Sequence, residues 1–176
     1  MASQLLPALL LAFAASAALG DDISATNTKQ LVEALGVMDD TVAYLSSVDD
    51  PRLMCLTSVV TVYEPEKHFG VYLYQYKGQN GEPGFDINYC VNLTATESFK
   101  FGFAPCEDDA FDSASQGYYF NGENCFVGQF PLLGNNYCLL WVKRGFKDSV
   151  PEECVAQFDE NCGPNSFTLY DKERCS

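Results

Sequence analysis

Positive charge is scarce in this chain. Ten Lys and Arg stand against 24 Asp and Glu, for a formal net charge of −14. A phosphate backbone needs a basic face, so nucleic acid is excluded as a partner, and an anionic membrane surface is excluded with it. Histidine occurs once, as His68, and no C-x-x-C pair is present, so the common donor sets for zinc are missing and no cofactor is expected. Neither G-x-S-x-G nor H-E-x-x-H occurs. His68 has no evident acid or nucleophile to work with and reads as a surface residue at a strand start, so the chain is read as a non-enzyme. The acids Glu107, Asp108, Asp109 and Asp112 lack the glycine and closing glutamate of a calcium loop and read as a solvated loop. Internal repeats, low-complexity tracts and linkers are missing, which argues against several domains. After residue 20 no apolar run is long enough to cross a bilayer.

The first 20 residues, MASQLLPALLLAFAASAALG, carry no charged side chain and end on Ala18-Leu19-Gly20 before Asp21-Asp22. That pattern predicts a secretory signal peptide over 1–20, leaving 21–176 as one secreted domain. All eight cysteines (55, 90, 106, 125, 138, 154, 162 and 175) follow the leader. An even count in a secreted chain predicts a disulfide framework.

Leu31, Val32, Leu35 and Met38 recur at helical spacing and predict a short amphipathic helix over Asn27–Asp39. Strand patterns follow at Thr41–Val48, Cys55–Tyr63 and His68–Lys77. In the next run Phe85, Ile87, Tyr89, Val91 and Leu93 alternate with Asp86, Asn88, Cys90 and Asn92. Side chains on a strand alternate faces, so the first set is predicted to point inward. Asn92-Leu93-Thr94 is a glycosylation sequon, and Asn92 falls on the outward set, where a glycan must be. Ser98–Ala104 sets Phe99, Phe101 and Phe103 on one face, and Gly117–Asn121, Asn124–Phe130 and Tyr137–Lys143 complete the strands. Pro151 opens a second helix to about Asn161, Cys162-Gly163-Pro164 stops it, and Phe167–Tyr170 is a short final strand candidate. The fold class is therefore all-β: about eight antiparallel strands in an up-and-down meander, closed into a barrel, with one helix before and one after. A barrel of eight strands has room for one small ligand. A β-sandwich fits the strands but not the flanking helices.

Near the C-terminus, VPEEC (Val150–Cys154), FDENCG (Phe158–Gly163) and LYDKERC (Leu169–Cys175) resemble the salivary lipocalins of ticks, the histamine-binding protein family. The helix, strand and Asp50-Pro51 turn leading to Cys55 resemble the family's N-terminal half. The Gly-x-Trp signature of vertebrate lipocalins is absent, as it commonly is in this branch. The resemblance implies an eight-stranded lipocalin barrel with its C-terminal helix packed outside and linked by disulfides. It implies Cys55–Cys175 and Cys125–Cys154 bridges. The pairing of Cys90, Cys106, Cys138 and Cys162 is left open, with Cys138–Cys162 and Cys90–Cys106 as the arrangement considered. Amine-binding members carry Cys, Asp, an aliphatic residue, a spacer, Glu-Leu-Trp or Glu-Leu-Tyr, a spacer and Cys. Here that frame survives as Cys125, Val127, Leu140, Trp141 and Cys154, but Phe126 stands for the Asp and Leu139 for the Glu.

A buried ammonium needs a carboxylate partner, so this change is expected to weaken histamine or serotonin binding strongly. Relocated acids for such binding would be Asp39, Asp40, Asp50 or Glu97. The candidate pocket lining is aromatic and aliphatic: Tyr44, Tyr72, Tyr74, Tyr89, Phe99, Phe101, Phe103, Tyr119, Phe126, Leu139 and Trp141. Lys143 and Arg144 read as a solvated strand end. The expected function is a secreted salivary binder that sequesters a small host mediator, a lipophilic one such as an eicosanoid, fatty acid or sterol, to suppress host inflammation or immunity. The alternatives are biogenic-amine binding, or immunomodulation of a host protein or cell through the outer surface. The protein is expected to act as a monomer.

Overall fold

The computed structural model describes residues 28–79, 81–93, 99–108 and 114–175. The leader, Glu97, Thr94 of the sequon, and Asp109 and Asp112 lie outside the described residues. Helix α1 (residues 28–37) precedes β1 (Asp40–Ser46), β2 (Thr57–Glu64), β3 (Phe69–Tyr76) and β4 (Phe85–Asn92). Then come β5 (Lys100–Pro105), β6 (Ala114–Phe120), β7 (Cys125–Leu132) and β8 (Asn135–Lys143). Helix α2 (Glu152–Cys162) and a two-residue β9 (Phe167–Thr168) follow. Each strand from β2 to β8 pairs antiparallel with its sequence neighbour, β8 returns to β1, and β1 pairs with β2. The meander thus closes and leaves no long free edge. Strand β1 is shared: Asp40–Val42 pair with β2, while Leu45 and Ser46 pair with β9.

Alternation sorts the two faces. Tyr72, Tyr74 and Tyr76 of β3, Tyr89 and Val91 of β4, Phe101 and Phe103 of β5, and Tyr137, Leu139 and Trp141 of β8 share one interior cluster. The outward residues Val42, Leu45, Val127, Leu140 and Val142 form a second cluster under Cys154 and Phe158 of α2. Phe158 is fully buried there, which contributes roughly 2–3 kcal/mol. Glu152 and Glu153 at the start of α2 complement its dipole. Two bridges fasten this helix to the barrel, Cys125–Cys154 and Cys138–Cys162. Cys55–Cys175 ties the start of β2 to the tail, and Cys90–Cys106 makes the fourth. That last pairing was open in the sequence. Cys90 stands opposite Ala104, and the Cys106 amide donates to the Asn88 carbonyl, which carries Cys106 alongside Cys90 with Cα atoms 5.0 Å apart.

Two expectations need correction. Phe85 was expected inside but is 48% exposed, because β4 begins beyond the barrel interior and the ring stacks on Tyr76 instead. Phe99 was expected within a strand, but β5 starts at Lys100 and Phe99 has φ 53°. Its ring occupies the space above Gly117, where a Cβ would come within 2.5 Å of it.

Candidate functional site: the capped mouth of the barrel

Leu31, Ala34, Leu35 and Met38 lie on one face of α1 and the turn after it, at the i, i+3, i+4, i+7 spacing of an apolar stripe. All four are buried against the barrel interior. The helix therefore caps the end of the barrel where β1 begins and β8 ends. Two tyrosine hydroxyls hold it: Tyr72 donates to the Leu35 carbonyl at 3.0 Å, and Tyr63 donates to the Val32 carbonyl at 3.2 Å. Tyr63 also accounts for Gly36, since a Cβ there would stand 2.8 Å from its hydroxyl.

Beneath this cap lies a cavity of about 60 Å³. Its floor and walls are Tyr72, Tyr74, Phe101, Phe103, Phe126, Phe130 and Trp141, with Val91, Leu93, Thr41 and Ser58 between them. The rings interlock edge to face. Trp141 meets Tyr74 at 5.0 Å and Phe130 at 6.1 Å, and Phe101 meets Phe126 at 6.3 Å. No charged side chain is among the lining residues. Burial, with smaller repulsion from Tyr63 and Asp39, pushes the Tyr72 phenol up. Burial does the same to Tyr74, so both hydroxyls stay neutral.

The structure brings together six of the sequence candidates at this cavity: Tyr72, Tyr74, Phe101, Phe103, Phe126 and Trp141. Tyr89 lies deeper, stacked on Phe103 at 4.6 Å with its hydroxyl 3.2 Å from that of Tyr76. Leu139 is buried in the interior cluster away from the cavity wall. Phe99 touches Phe126 at the rim, with ring centroids 6.1 Å apart. Tyr44 and Tyr119 lie outside the barrel, in the cluster under α2. Tyr44 shares the outward face of Val42, next to a register shift in β1, and a shift between Gly117 and Tyr119 turns Tyr119 outward.

The acids considered as relocated amine partners are engaged elsewhere. Asp39 pairs with Lys143 at 3.2 Å and Asp40 with Arg144 at 2.8 Å, on the outside of the mouth. Asp50 pairs with Arg52 at 2.6 Å at the opposite end. Sequence reasoning missed Thr41, Ser58, Phe130 and the apolar face of α1 as lining. For the helix the signal was present: its stripe needed a surface to cover. For Thr41 and Ser58 no signal separates them from the other Thr and Ser of their strands.

No family model matches the chain, and no curated protein matches it. Solved structures do. AM182 in complex with serotonin superimposes with a TM-score of 0.60 at 15% identity, over 80% of this chain and 89% of that one. Japanin from Rhipicephalus appendiculatus, bound to cholesterol, gives 0.59 at 12% identity, over 78% and 95%. Apocrustacyanin C2 gives 0.59 at 9% identity, over 89% and 87%. The chain has the lipocalin fold that these structures share.

Proposed function

We propose that this protein is a secreted salivary lipocalin that sequesters a lipophilic host mediator, an eicosanoid, fatty acid or sterol, beneath α1, and so damps host inflammation or immunity. The observation that carries the reading is the cavity wall: rings, aliphatic groups and neutral hydroxyls, with no carboxylate to pair an ammonium. The fold neighbour bound to cholesterol is consistent with it. The cavity, at about 60 Å³, is far below the several hundred Å³ of drug-sized sites. A lipid therefore enters by lifting α1 and taking the space of its apolar stripe. Four disulfides fit an oxidising, extracellular setting. Asn92, half-buried between the inward Val91 and Leu93, is the proposed glycan site.

Native mass spectrometry of protein from a eukaryotic secretory host tests the ligand class, with a co-purifying lipid as the expected result. Calorimetric titration with arachidonate, leukotriene B4, cholesterol, histamine and serotonin follows. Tight histamine or serotonin binding, alongside no lipid uptake, would transfer the function to biogenic amines. Phe126→Asp places a desolvated carboxylate in the wall and is expected to weaken lipid binding at least tenfold. The companion change Leu139→Glu buries its charge in packed core rather than at the ligand, so the single substitution is the sharper probe.

A further inference from the structure

Two buried polar groups in the cavity wall have no hydrogen-bond partner among the described residues: the Ser58 hydroxyl and the Trp141 indole N–H. Ser58 is 2% exposed and Trp141 4%. Such groups are rare in folded proteins, and each costs free energy unless something fills its valence. Both residues line the cavity, at a corner that strand register defines. Ser58 stands opposite Thr41 on β1 and opposite Tyr74 on β3. The Tyr74 ring lies 5.0 Å from Trp141, which stands opposite Ala43, two residues along β1 from Thr41. The third unpartnered group, the Ser115 hydroxyl, sits beside Phe101 and does not line the cavity.

We propose that the ligand places an uncharged oxygen, an alcohol hydroxyl or a ketone or ester carbonyl, in this corner, where it hydrogen-bonds with Trp141 Nε1 and Ser58 Oγ. The proposal rests on the barrel being an apolar-ligand site and names the headgroup chemistry of that ligand. An indole N–H only donates, so it opposes an ammonium, which also only donates. A carboxylate accepts from it, but no cation in the wall offsets the desolvated charge. An alcohol oxygen accepts from Trp141 and exchanges a hydrogen bond with Ser58, and it carries no charge to desolvate.

The test uses a matched set of twelve-carbon probes at pH 7.4: dodecanol, dodecanoate and dodecylamine. Trp141 is the only tryptophan of the chain, so its emission reports this corner, and calorimetry supplies the affinities. Dodecanol is expected to bind at least tenfold tighter than either charged probe. Ser58→Ala is expected to weaken dodecanol binding about three- to tenfold while leaving the unliganded protein as stable as before, since it deletes an unpaired hydroxyl. Ser115→Ala, the control away from the cavity, leaves dodecanol binding unchanged. Equal or tighter binding of dodecanoate or dodecylamine overturns the headgroup assignment and leaves the apolar site standing. Unchanged dodecanol affinity in Ser58→Ala does the same. If no probe binds, the apolar-ligand reading itself falls, and this assignment with it.

Discussion

The two ends of the barrel are closed in different ways. At the end where β7 turns into β8, the chain is pinned by covalent and charged links. Asp50 caps a 3₁₀ turn over Pro51–Leu53 by accepting from the Arg52 amide, and the Arg52 guanidinium grips the same carboxylate. Tyr137 donates its hydroxyl to Asp50 at 2.5 Å and Asn135 donates to Tyr137 at 3.3 Å. The Cys55–Cys175 bridge and a Lys77 hydrogen bond to the Arg174 carbonyl bind the tail across this end. At the other end α1 has the apolar stripe and two tyrosine hydroxyls. The ion pairs nearby, Asp39–Lys143 and Asp40–Arg144, fasten the chain that follows the helix to the end of β8. Apolar contact is non-directional, so a helix held mainly by it can be exchanged for a ligand of similar surface. A bridge and a partly buried carboxylate network offer no such exchange. On the proposed function, the difference makes one end the foundation and the other the entrance.

Removing the foundation has the largest expected effect. The Cys55–Cys175 bridge closes a sequence separation of 120 residues, and replacing both cysteines by serine is expected to cost roughly 3–5 kcal/mol. Guanidinium unfolding measures it. Ligand affinity of the folded fraction should stay the same, because neither cysteine lines the cavity. An equal loss of affinity would show that the two ends are not independent.

Acid sharpens the same contrast at a smaller scale. The Arg52 hydrogen bonds, opposed by burial and aided by Tyr137, bring Asp50 from its ordinary 3.8 to about 2. A carboxylate with a depressed folded-state pKa stabilises the protein above its unfolded pKa, and that stabilisation is lost as pH falls through the folded one. The window is therefore about pH 4 down to pH 2. Arg52 is half exposed, so after screening the contribution is about 1–2 kcal/mol. Asp50→Asn is expected to flatten the stability curve in that window. A curve that keeps its slope there would assign the acid sensitivity to another carboxylate.

The foundation was more legible in the sequence than the entrance. Alternation in Ile87–Leu93 and the even cysteine count follow from rules that hold along any strand or secreted chain, and they led to a closed, bridged barrel. The cavity depends on which way particular strands shift register. One residue of bulge separates Tyr119, under α2, from the interior face of its strand, and nothing in Gly117-Tyr118-Tyr119 announces it. Thr41 and Ser58 reach the cavity from runs where Thr, Ser and Val mix on both faces, so period two carried no contrast. Phe126 and Trp141 were singled out by the resemblance to the motif of the amine-binding family members, and both line the wall.

The smallest effect tests the cap itself. Alanine at a helix position is favoured over glycine by about 1 kcal/mol, yet Gly36 stands in α1. An alanine Cβ there would approach the Tyr63 hydroxyl to 2.8 Å and its Cζ to 2.9 Å. Tyr63 is 43% exposed, so its ring is free to swing into solvent. Swinging gives up the hydrogen bond to the Val32 carbonyl, worth about 0.5 kcal/mol at an exposed site. Gly36→Ala alone is therefore expected to change stability by less than about 0.5 kcal/mol. In a Tyr63→Ala background no ring opposes the methyl, and the same substitution should stabilise by about 0.5–1 kcal/mol. Stopped-flow Trp141 emission with a bound lipid adds the functional half: losing the Tyr63 bond should raise the association rate about twofold with little change in the dissociation constant. A zero coupling between positions 36 and 63, with unaltered association, would mean that Tyr63 does not restrain the helix and that α1 opens about a different contact.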